Sequence, residues 1–392
     1  MDIAIAGAGI GGLSLATLLA RAGHRIEIFD QFLKAAPVGS GLMLQETGLA
    51  VLGEMGLRQQ AEARSSRIDR LYGRAEPSGR IVLDVRFSAL RKTLFAAAIQ
   101  RSAIFDLLYR AAQAAGVSFT GGVEIASADG RLGTFETSDG RQLGPFDLII
   151  DCLGANSPLS STPKSDLPFG ALWATVEWPA GGEFSNTDLE QRYYAARQMS
   201  GLMPSGTPKE GAPLTATYFW SIEGSGEAAW RSQNISKWRD DARRLWPESA
   251  GIVERLDHGD LTFARYRHRT HSRPVLGRLV HIGDAWHATS PQLGQGANMA
   301  LLDAFALAKA VEASSEIGDI HRAFLSMRRW HVRLYQTMSW LFTPVYQSNS
   351  RALPPLRDYI AAPLSRVPPA PAFLAAMVSG ALGRPLKSLD LV

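Results

Sequence analysis

A glycine-rich turn near the start of the chain has the spacing of a phosphate-binding loop. Gly7, Gly9 and Gly12 form a G-x-G-x-x-G pattern, with Gly11 inside it, after a short apolar run. Glycines allow a tight turn and a close approach of the backbone to a pyrophosphate, and the helix that follows offers free N–H groups. Asp30, at the end of the next apolar run, could accept hydrogen bonds from an adenosine ribose. This set predicts a bound dinucleotide and does not distinguish FAD from NAD.

A second glycine-rich loop lies far along the chain and also precedes a predicted helix. Asp284 and His287 follow a buried-strand pattern, and Pro291 comes next. The loop itself contains Gly294, Gln295, Gly296, Ala297 and Asn298. An NAD-dependent dehydrogenase does not need a second polar site of this kind. FAD does, because its ribityl and isoalloxazine parts extend away from the adenine end.

The elements around these loops predict a doubly wound α/β sheet. Residues 3–6 and 24–29 are predicted strands on either side of a helix over 13–22, which makes a βαβ unit. An Ala-rich stretch over 95–115 is predicted to be one long helix that carries Arg101.

The composition of the chain changes after residue 156, and this predicts a second sheet. Strand-like segments with many aromatic residues dominate from about residue 170 to residue 270, as in a mostly antiparallel sheet. An alternating hairpin over 68–85 falls in the first part of the chain. The predicted boundaries are 1–165 for the first part of a cofactor domain, 166–270 for a substrate domain, 271–342 for the second part of the cofactor domain and 343–392 for a C-terminal tail.

Composition and charge exclude several classes of protein. The 392 residues are 46% hydrophobic with a formal net charge of +4, which excludes intrinsic disorder, and the absence of a Lys/Arg block argues against nucleic-acid binding. The single cysteine, Cys152, cannot form an internal disulfide, and no Cys/His group has zinc spacing. We therefore expect no metal and a reducing, cytoplasmic environment. The apolar run over 3–20 contains too many glycines to predict a membrane span.

The run from Gly283 to Ala304, G-D-A-x-H followed by P-x-x-G-Q-G-A-N-x-A-x-x-D-A, resembles the single-component FAD-dependent aromatic hydroxylases. These are the group A flavoprotein monooxygenases with a p-hydroxybenzoate hydroxylase-like fold. The resemblance covers about residues 1–340. It implies an α/β protein with a doubly wound, Rossmann-like FAD-binding domain of the glutathione reductase type, an inserted mostly antiparallel β substrate domain and a helical C-terminus.

The same resemblance implies the positions of the cofactor site. The cofactor-binding residues would be Gly7, Gly9, Gly11, Gly12, Asp30, Gly41, Arg101, Gly154, Asp284, Gly294, Gln295, Gly296, Ala297 and Asn298. Gly41 belongs to the segment from Gly39 to Leu44, which would pass close to the flavin. Pro291, Gly294 and His287 would lie beside the reacting ring, where N–H groups and a helix N-terminus stabilise reduced flavin. For His287 the alternative is a structural hydrogen bond, and for Arg101 it is a solvated helix position.

One motif departs from the family pattern after the predicted strand over 147–150. The family has an Asp-Gly pair there, followed by Ser and Arg. In this chain the glycine corresponds to Gly154 and the serine to Ser157, but Leu153 replaces the aspartate and the arginine is missing. Because that aspartate serves the flavin and the nicotinamide partner in the family, the use of NADPH or NADH is an open question for this chain.

The resemblance implies a monooxygenase reaction on a small molecule. NADPH or NADH would reduce FAD, and O₂ would form a flavin C4a-hydroperoxide that hydroxylates or epoxidises an apolar aromatic or ring-containing substrate. The alternatives are a reductase or dehydrogenase of the same fold, or a degenerate FAD-binding protein, both favoured by Leu153.

The aromatic residues and histidines of the second sheet are the candidates for substrate binding. Tyr193, Tyr218, Trp220 and His268 are predicted to bind the substrate. Strand alternation puts Tyr218 and Trp220 on one face and Phe219 on the other, so that only one of these faces can contact a ligand. A histidine or tyrosine could also assist the loss of a proton from a phenol.

The Pro-rich tail is basic and has apolar runs over 360–364 and 373–382. It is expected to pack on the cofactor domain. Capping the pocket or lying on an anionic membrane are the alternatives.

Overall fold

The computed structural model describes residues 1–33, 40–160 and 165–391. Gly39, which the sequence assigns to the segment near the flavin, lies outside the described residues. The strands in chain order are β1 (Asp2–Ala6), β2 (Arg25–Asp30), β3 (Gly41–Leu44), β4 (Ser66–Ile68), β5 (Arg70–Ala75), β6 (Arg80–Arg86), β7 (Ala96–Gln100), β8 (Ser118–Gly121), β9 (Ile125–Asp129), β10 (Thr134–Thr137), β11 (Gln142–Leu143), β12 (Leu148–Asp151), β13 (Ser165–Glu177), β14 (Asp188–Tyr194), β15 (Gln198–Pro204), β16 (Thr215–Glu223), β17 (Thr262–His268), β18 (Val275–Leu276) and β19 (Leu279–His281).

The helices follow the same numbering convention. They are α1 (Ile10–Arg21), α2 (Glu46–Glu54), α3 (Arg58–Ala63), α4 (Arg101–Ala114), α5 (Glu227–Ser232), α6 (Ile235–Leu245), α7 (Ala250–Val253), α8 (Asp284–His287), α9 (Gly296–Ala313), α10 (Ile317–Tyr346), α11 (Leu353–Leu356), α12 (Ala362–Leu364), α13 (Ala370–Val378) and α14 (Pro385–Ser388). Short 3₁₀ turns cover Gly154–Asn156 and Pro291–Leu293, and a π-helical turn covers Arg357–Ala361.

The first sheet has the doubly wound arrangement that the sequence predicts. In the described part of the chain its strands have the order β18-β19-β12-β1-β2-β8, and β1 pairs in parallel with β12 and β2. Ile3 and Ile5 enter one hydrophobic cluster, while Ala4 and Ala6 enter another on the opposite face. The apolar run of β1 is continuous because both faces of a central parallel strand are buried. This sheet confirms the α/β fold class.

The second sheet is mostly antiparallel, and it contains a hairpin that the sequence assigned to a different domain. Among the described strands its order is β17-β13-β16-β15-β14-β5-β6, with β14 and β5 parallel. The hairpin of β5 and β6 was predicted within the first part of the cofactor domain. It instead extends the second sheet, since β5 pairs along its length with β14. Such a pairing between distant segments leaves no local signal in either strand.

The Ala-rich stretch over 95–115 is not one helix, and this is a second correction. Ala96–Gln100 is strand β7, which pairs with β3 and β4, and α4 begins only at Arg101. The ladders on both sides use the backbone of the alanines, and their small side chains are buried. Tertiary pairing thus overrides the helix propensity of alanine. The change puts Arg101 at the start of the helix.

The C-terminal part is helical, as predicted. The helix α10 leads into a helical run over 353–364 and then into α13. Ala362, Ala375, Met377 and Val378 join the main hydrophobic cluster, so this region packs against the rest of the chain. None of the helices in the described ranges has the length and apolar character needed to cross a bilayer.

Candidate functional site

The first glycine turn is shaped by close contacts that only glycine permits. Gly7 has a φ of +105°, and a Cβ there would lie 2.5 Å from the carbonyl oxygen of Cys152. A Cβ on Gly12 would lie 2.1 Å from the carbonyl oxygen of Gly7. Around Gly9, by contrast, no described atom beyond its chain neighbours lies within 4 Å of a Cβ position. Gly7 and Gly12 therefore form the turn, while Gly9 leaves open space for a phosphate to approach.

Asp30 and Gly11 lie on either side of this turn. One carboxylate oxygen of Asp30 accepts from the backbone N–H of Ala8 at 2.8 Å, and the other accepts from that of Phe32 at 3.0 Å. Asp30 is thus held against the turn, with lone pairs left for a ribose hydroxyl. Gly11 packs against α9, since its Cβ position lies 3.5 Å from the Cβ of Ala300, and its predicted contact with the cofactor stays a prediction.

A large cavity lies between the first sheet, the second sheet and the C-terminal helices. Its volume is about 1030 Å³, at the upper end of the roughly 300–1000 Å³ that small-molecule sites occupy. At one end it is bordered by Gly41, Arg101, Asp284, Pro291, Gly294, Gly296 and Ala297. Predicted cofactor residues from four separate segments therefore meet at this cavity.

The second glycine loop presents a helix N-terminus to the cavity. Gly294 has a φ of +63° and ends the turn over Pro291–Leu293, and α9 begins at Gly296. No side chain in the described ranges caps this helix through its N-cap residue, so the first N–H groups of an 18-residue helix are free at the cavity. Free N–H groups and the helix dipole favour negative charge at that point.

The side chains of Asn298 and Gln295 lie behind the loop, so any contact of these two residues with the cofactor would be through the backbone. The Nδ2 group of Asn298 donates to the carbonyl oxygens of Met43 and Gly294 at 3.1 and 3.2 Å, and its Oδ1 accepts from the N–H of Gln45 at 2.9 Å. The Nε2 group of Gln295 donates to the carbonyl oxygen of Val378 at 2.8 Å. Both side chains are buried and position the loop against β3 and α13.

Gly41 is required by the contact between β3 and the second sheet. A Cβ there would lie 2.4 Å from Oγ1 of Thr217 and 2.8 Å from Cβ of Ser205. The N–H of Gly41 donates to the same Thr217 hydroxyl at 3.0 Å. This glycine therefore lets the strand beside the cavity approach the second sheet closely.

Arg101 and Asp284 both border the cofactor end of the cavity, and Arg101 is exposed to it. Neighbouring protein atoms lower the pKa of the Arg101 guanidinium, and the charge of Asp284 partly opposes that shift. Within the described ranges no carboxylate or carbonyl oxygen accepts a hydrogen bond from its side chain, although the side chain has surface open to the cavity. A cation that is exposed at the cavity and has no protein acceptor among the described residues is suited to the phosphates of a dinucleotide.

The altered motif has its own buried network. Asp151 is fully buried, and its carboxylate accepts from the N–H of Leu153 at 3.0 Å and from the hydroxyl of Ser157 at 2.6 Å. The Nδ1 atom of His281 lies 2.7 Å from the same carboxylate. Leu153 itself packs on an apolar cluster of the first sheet. Gly154 has a φ of +74°, and the next residue, Ala155, borders the cavity.

His287 is not beside the cavity, which corrects its predicted place next to the reacting ring. Its Nε2 atom lies 2.6 Å from Oδ2 of Asp303, and both side chains are buried. The other carboxylate oxygen of Asp303 accepts from Nε of Arg328 at 2.7 Å. Burial alone would raise the pKa of Asp303, but His287 and Arg328 lower it to about 2. The structural hydrogen bond is therefore the role that the geometry gives to His287.

The same network reaches the C-terminal segment. The guanidinium of Arg328 donates to Nδ1 of His331 at 3.0 Å, and Nε2 of His331 lies 3.2 Å from the carbonyl oxygen of Gly380. Burial, with the charge of Arg328, holds the pKa of His331 well below its usual value. A neutral imidazole that accepts at Nδ1 and donates at Nε2 fits both contacts.

The predicted substrate residues divide between the two faces of the second sheet. Tyr193 and Phe219 border the cavity. Tyr218 and Trp220 do not, because they face the opposite side and pack edge-on against Trp238 of α6. The alternation was predicted correctly, but the face assigned to the ligand was wrong. The cavity side of the sheet is formed by Trp173, Thr175, Gln191, Tyr193, Met199, Met203 and Phe219.

None of the described residues that border the cavity is a histidine. His268 follows Tyr266 and Arg267, which border the cavity, but its own side chain does not reach it. Partial burial lowers the pKa of His268. The predicted substrate contact of His268 is therefore wrong.

The C-terminal segment supplies cavity residues that were not singled out from the sequence. They include Arg357, Ala361, Ala362, Leu364, Phe373 and Met377. Leu364 and Phe373 are 62% and 51% exposed, so the cavity opens to the surface beside them. The apolar runs in the tail were the available signal.

These observations fit FAD. The open space at Gly9 and the unpartnered cation of Arg101 suit a pyrophosphate, and the free N–H groups of α9 suit a flavin that becomes anionic on reduction.

Comparisons with known proteins agree with this fit. The family model for the FAD binding domain matches residues 1–316. Kynurenine 3-monooxygenase of Xanthomonas campestris pv. campestris is 26% identical over 378 residues, which covers 86% of this chain and 77% of that protein. The structure of Klebsiella pneumoniae HpxO complexed with FAD and uric acid aligns with a TM-score of 0.78 at 18% identity, over 97% of each chain. The tetrameric form of 2-methyl-3-hydroxypyridine-5-carboxylic acid oxygenase aligns with a TM-score of 0.77 at 20% identity, over 93% of this chain and 98% of that one.

Proposed function

We propose that the chain, which belongs to the FAD binding domain family and is similar to FAD-dependent monooxygenases, uses NADPH or NADH and O₂ to hydroxylate or epoxidise an apolar aromatic or other ring-containing small molecule. The observation that carries the proposal is the single cavity between the predicted cofactor residues and the aromatic side of the second sheet. The names of similar proteins support a ring-containing substrate, since kynurenine and uric acid both contain rings.

The first glycine turn, which does not border the cavity, and the residues at the cofactor end of the cavity would hold different parts of FAD. Gly7, Gly9, Gly12 and Asp30 would hold the adenosine and pyrophosphate part, and Arg101 and Asp284 would hold the ribityl chain and phosphates. When bound, FAD supplies the redox chemistry, by which electrons from the nicotinamide reach O₂. The first N–H groups of α9 would stabilise negative charge on the ring system.

The protein's own contribution is to position the substrate and exclude water. The wall from the second sheet is largely apolar, and Trp173 and Phe219 form a pair with ring centroids 4.9 Å apart. The C-terminal segment lines the opposite side, where the cavity opens to the surface beside Leu364 and Phe373. A dry site keeps activated oxygen from being lost as hydrogen peroxide.

Two tyrosines of the wall, Tyr193 and Tyr346, hold their protons at neutral pH. Burial raises the pKa of Tyr193 well above its usual value, and its hydroxyl donates to Oε1 of Gln191 at 2.8 Å. Burial likewise raises the pKa of Tyr346 to about 12. A substrate that needs to lose a proton would therefore release it to solvent or through a hydrogen bond rather than to one of these tyrosines.

The test is anaerobic mixing of the FAD-loaded protein with NADPH and, separately, NADH, followed by admission of O₂. Bleaching of the flavin absorbance and an oxygenated product with one O₂ consumed per nicotinamide are the expected results. Failure of the protein to retain FAD would contradict the whole proposal.

A second candidate is a reductase or dehydrogenase that does not insert oxygen. It is favoured by Leu153, whose side chain packs in an apolar cluster and offers no carboxylate to a nicotinamide. For this function, the product would contain no oxygen from ¹⁸O₂. Flavin that is reduced by an artificial donor but not by NADPH or NADH would indicate another electron source.

A further inference from the structure

The C-terminal segment presents a group of large apolar side chains to solvent. Of the 15 large apolar side chains that are exposed among the described residues, six lie between residues 356 and 373, and each of the six is at least 50% exposed. They form what we call the C-terminal apolar surface: Leu356, Tyr359, Ile360, Leu364, Val367 and Phe373. A single exposed leucine is ordinary, but a group of this kind marks a surface that binds something.

This surface is the outer side of a segment whose inner side is packed. In the helical run over 353–364, Leu356, Ile360 and Leu364 recur every four residues and are all exposed, so they share one face. On the inner side Arg357 and Ala362 are buried, and Ala362 belongs to the main hydrophobic cluster. The segment is therefore held in place with an apolar side facing outward, as in a helix that lies along a membrane interface.

The exposed charges of this segment are positive. Between residues 351 and 373 the exposed charged residues are Arg351 and Arg366. The acid of that stretch, Asp358, is only partly exposed and accepts a hydrogen bond of 2.7 Å from the buried arginine before it. No carboxylate among the described residues pairs with Arg351 or Arg366. The segment therefore combines apolar side chains with positive charge that no acid balances.

Two contacts with β6 hold cations beside the apolar side chains. The guanidinium carbon of Arg80, itself exposed, lies 4.3 Å from the ring centroid of Tyr359. The Nη2 group of Arg366 donates to the carbonyl oxygen of Ile81 at 3.0 Å. Cations thus border the C-terminal apolar surface, which is the arrangement that acyl chains together with negatively charged lipid headgroups would match.

The cavity opens within the same surface. Leu364 and Phe373 line the cavity and are more than half exposed, so they form part of its mouth. Whatever covers the C-terminal apolar surface therefore also meets the mouth. A permanent protein cover would close it, whereas lipid molecules move aside and leave it open to small apolar molecules dissolved in the membrane.

A second copy of the chain fits this surface less well. In a two-fold contact the same patch of both copies meets. Arg351 and Arg366 would then bring like charges together, with no exposed acid of the segment to balance them. Anionic lipid headgroups supply that balance.

We propose that the C-terminal apolar surface docks on an anionic lipid bilayer. The apolar side chains enter the boundary between headgroups and acyl chains, the arginines contact the headgroups, and the mouth of the cavity opens to the lipid. This inference goes beyond the proposed function and does not rest on it, because it concerns a surface and not the reaction.

Co-sedimentation of the FAD-loaded protein with lipid vesicles tests the docking. One set of vesicles contains phosphatidylcholine alone, and the other contains phosphatidylcholine and phosphatidylglycerol in a ratio of about 3:1, which makes it anionic. The unaltered protein should bind the anionic vesicles and should bind the neutral ones several-fold more weakly. High salt should remove most of that difference, because it screens the headgroup charges.

The first variant tests the apolar contact. Ile360→Ser combined with Val367→Ser removes two exposed apolar side chains that do not line the cavity, and it should weaken binding to anionic vesicles about tenfold. The matched control combines Leu132→Ser with Leu276→Ser, which lie outside the segment and are equally exposed. The control should change binding by about twofold at most.

The second variant tests the charge. Arg351→Gln combined with Arg366→Gln should weaken binding to anionic vesicles about tenfold to thirtyfold and leave binding to neutral vesicles within about twofold. Arg110→Gln combined with Arg244→Gln removes two exposed arginines from α4 and α6 and is the control. Thermal unfolding of each variant verifies that it is folded.

Failure of the unaltered protein to sediment with anionic vesicles would overturn the proposal. Equal binding by the segment variants and their controls would overturn it too, since the lipid contact would then lie elsewhere. An oligomer, seen by light scattering without lipid, that Ile360→Ser with Val367→Ser dissociates would assign the surface to a second copy of the chain. None of these measurements needs a nicotinamide, O₂ or a substrate, so a protein that docks but inserts no oxygen would contradict the proposed function alone.

Discussion

The Nε2 atom of His287 lies 2.6 Å from Oδ2 of Asp303, beneath the loop that begins α9, and neither side chain reaches the cavity. The acid is shared, because it also accepts from Arg328 and from the N–H of Gly283, the latter at 2.8 Å. The histidine of the G-D-A-x-H run is therefore part of the support of the site. Its proton is held in a buried network that joins the loop to the C-terminal segment.

Asp303→Asn should destabilise the protein strongly. The change keeps the side-chain shape but leaves Arg328 as a buried cation without its acid, which costs about 3–5 kcal/mol in free energy of unfolding. Urea denaturation measures this loss. Asp319→Asn, which removes an exposed partner of Arg322, is the control and should stay within about 0.5 kcal/mol. Equal stabilities of the two variants would show that the network is not a support.

Stability should fall as the pH is lowered below about 6.5, in part because of His331. Its folded-state pKa lies well below its usual value through burial, so the unfolded chain binds a proton that the folded chain does not. The slope of unfolding free energy against pH should flatten in His331→Gln by up to about 1.4 kcal/mol per pH unit. Urea titrations between pH 5 and 7 measure the slope. An unchanged slope would mean that His331 titrates normally in the fold.

Substitutions of two glycines in the first turn should differ in their effects on folding and on FAD binding. Gly12→Ala puts a Cβ 2.1 Å from the carbonyl oxygen of Gly7, so the apoprotein should lose stability and FAD together. Gly9→Ala meets no described atom within 4 Å, so the apoprotein should unfold within about 1 kcal/mol of the unaltered protein yet bind FAD weakly. Thermal unfolding without FAD and fluorescence titration with FAD distinguish these results. Normal FAD affinity in Gly9→Ala would place the phosphates elsewhere.

Arg101→Met should reduce FAD affinity by about tenfold to a hundredfold, since it removes a charged hydrogen-bond donor of about 1.5–3 kcal/mol from the cofactor end of the cavity. The fold should be retained, because in the described ranges no protein group accepts from this side chain. Arg110→Met lies on the same helix with an exposed side chain and serves as the control. Flavin content after dialysis gives the readout. Equal retention of FAD by the Arg101 and Arg110 variants would show that Arg101 does not contact the cofactor.

The two faces of β16 should respond differently to substitution. Phe219→Leu alters the cavity wall and should change the affinity for a small aromatic probe such as acetophenone. Tyr218→Phe removes a hydroxyl that accepts from Ser200 at 3.0 Å on the far face, so it should cost about 1 kcal/mol of stability and leave probe binding unchanged. Dissociation constants and urea midpoints check both statements. A binding defect confined to Tyr218→Phe would reverse the assignment of faces.

The sequence predicted the features that depend on local spacing. The glycine turn, the strand after it and the loop before α9 have short signatures because each is a tight backbone conformation within a few residues. The helical tail was also foreseen. These are the parts of the fold and of the candidate site that need no knowledge of distant pairing.

The wrong predictions discussed next depend on contacts between segments that are far apart in the sequence. Ala96–Gln100 forms a strand only because β3 and β4 flank it, and the hairpin of β5 and β6 joins the second sheet through β14. Whether Phe219 or Tyr218 faces a ligand is decided by where α6 packs. Arg357 became a cavity residue through the path of the tail, which has no periodic signal of its own.

The wall that completes the cavity is made by residues translated after both sheets. As the chain leaves the ribosome, the segments that would hold the dinucleotide, through α9, emerge well before Arg357 and Phe373. Domains generally fold as they are synthesised, amino-terminal parts first. Until the C-terminal segment is in place, the ring-binding side is therefore an open groove.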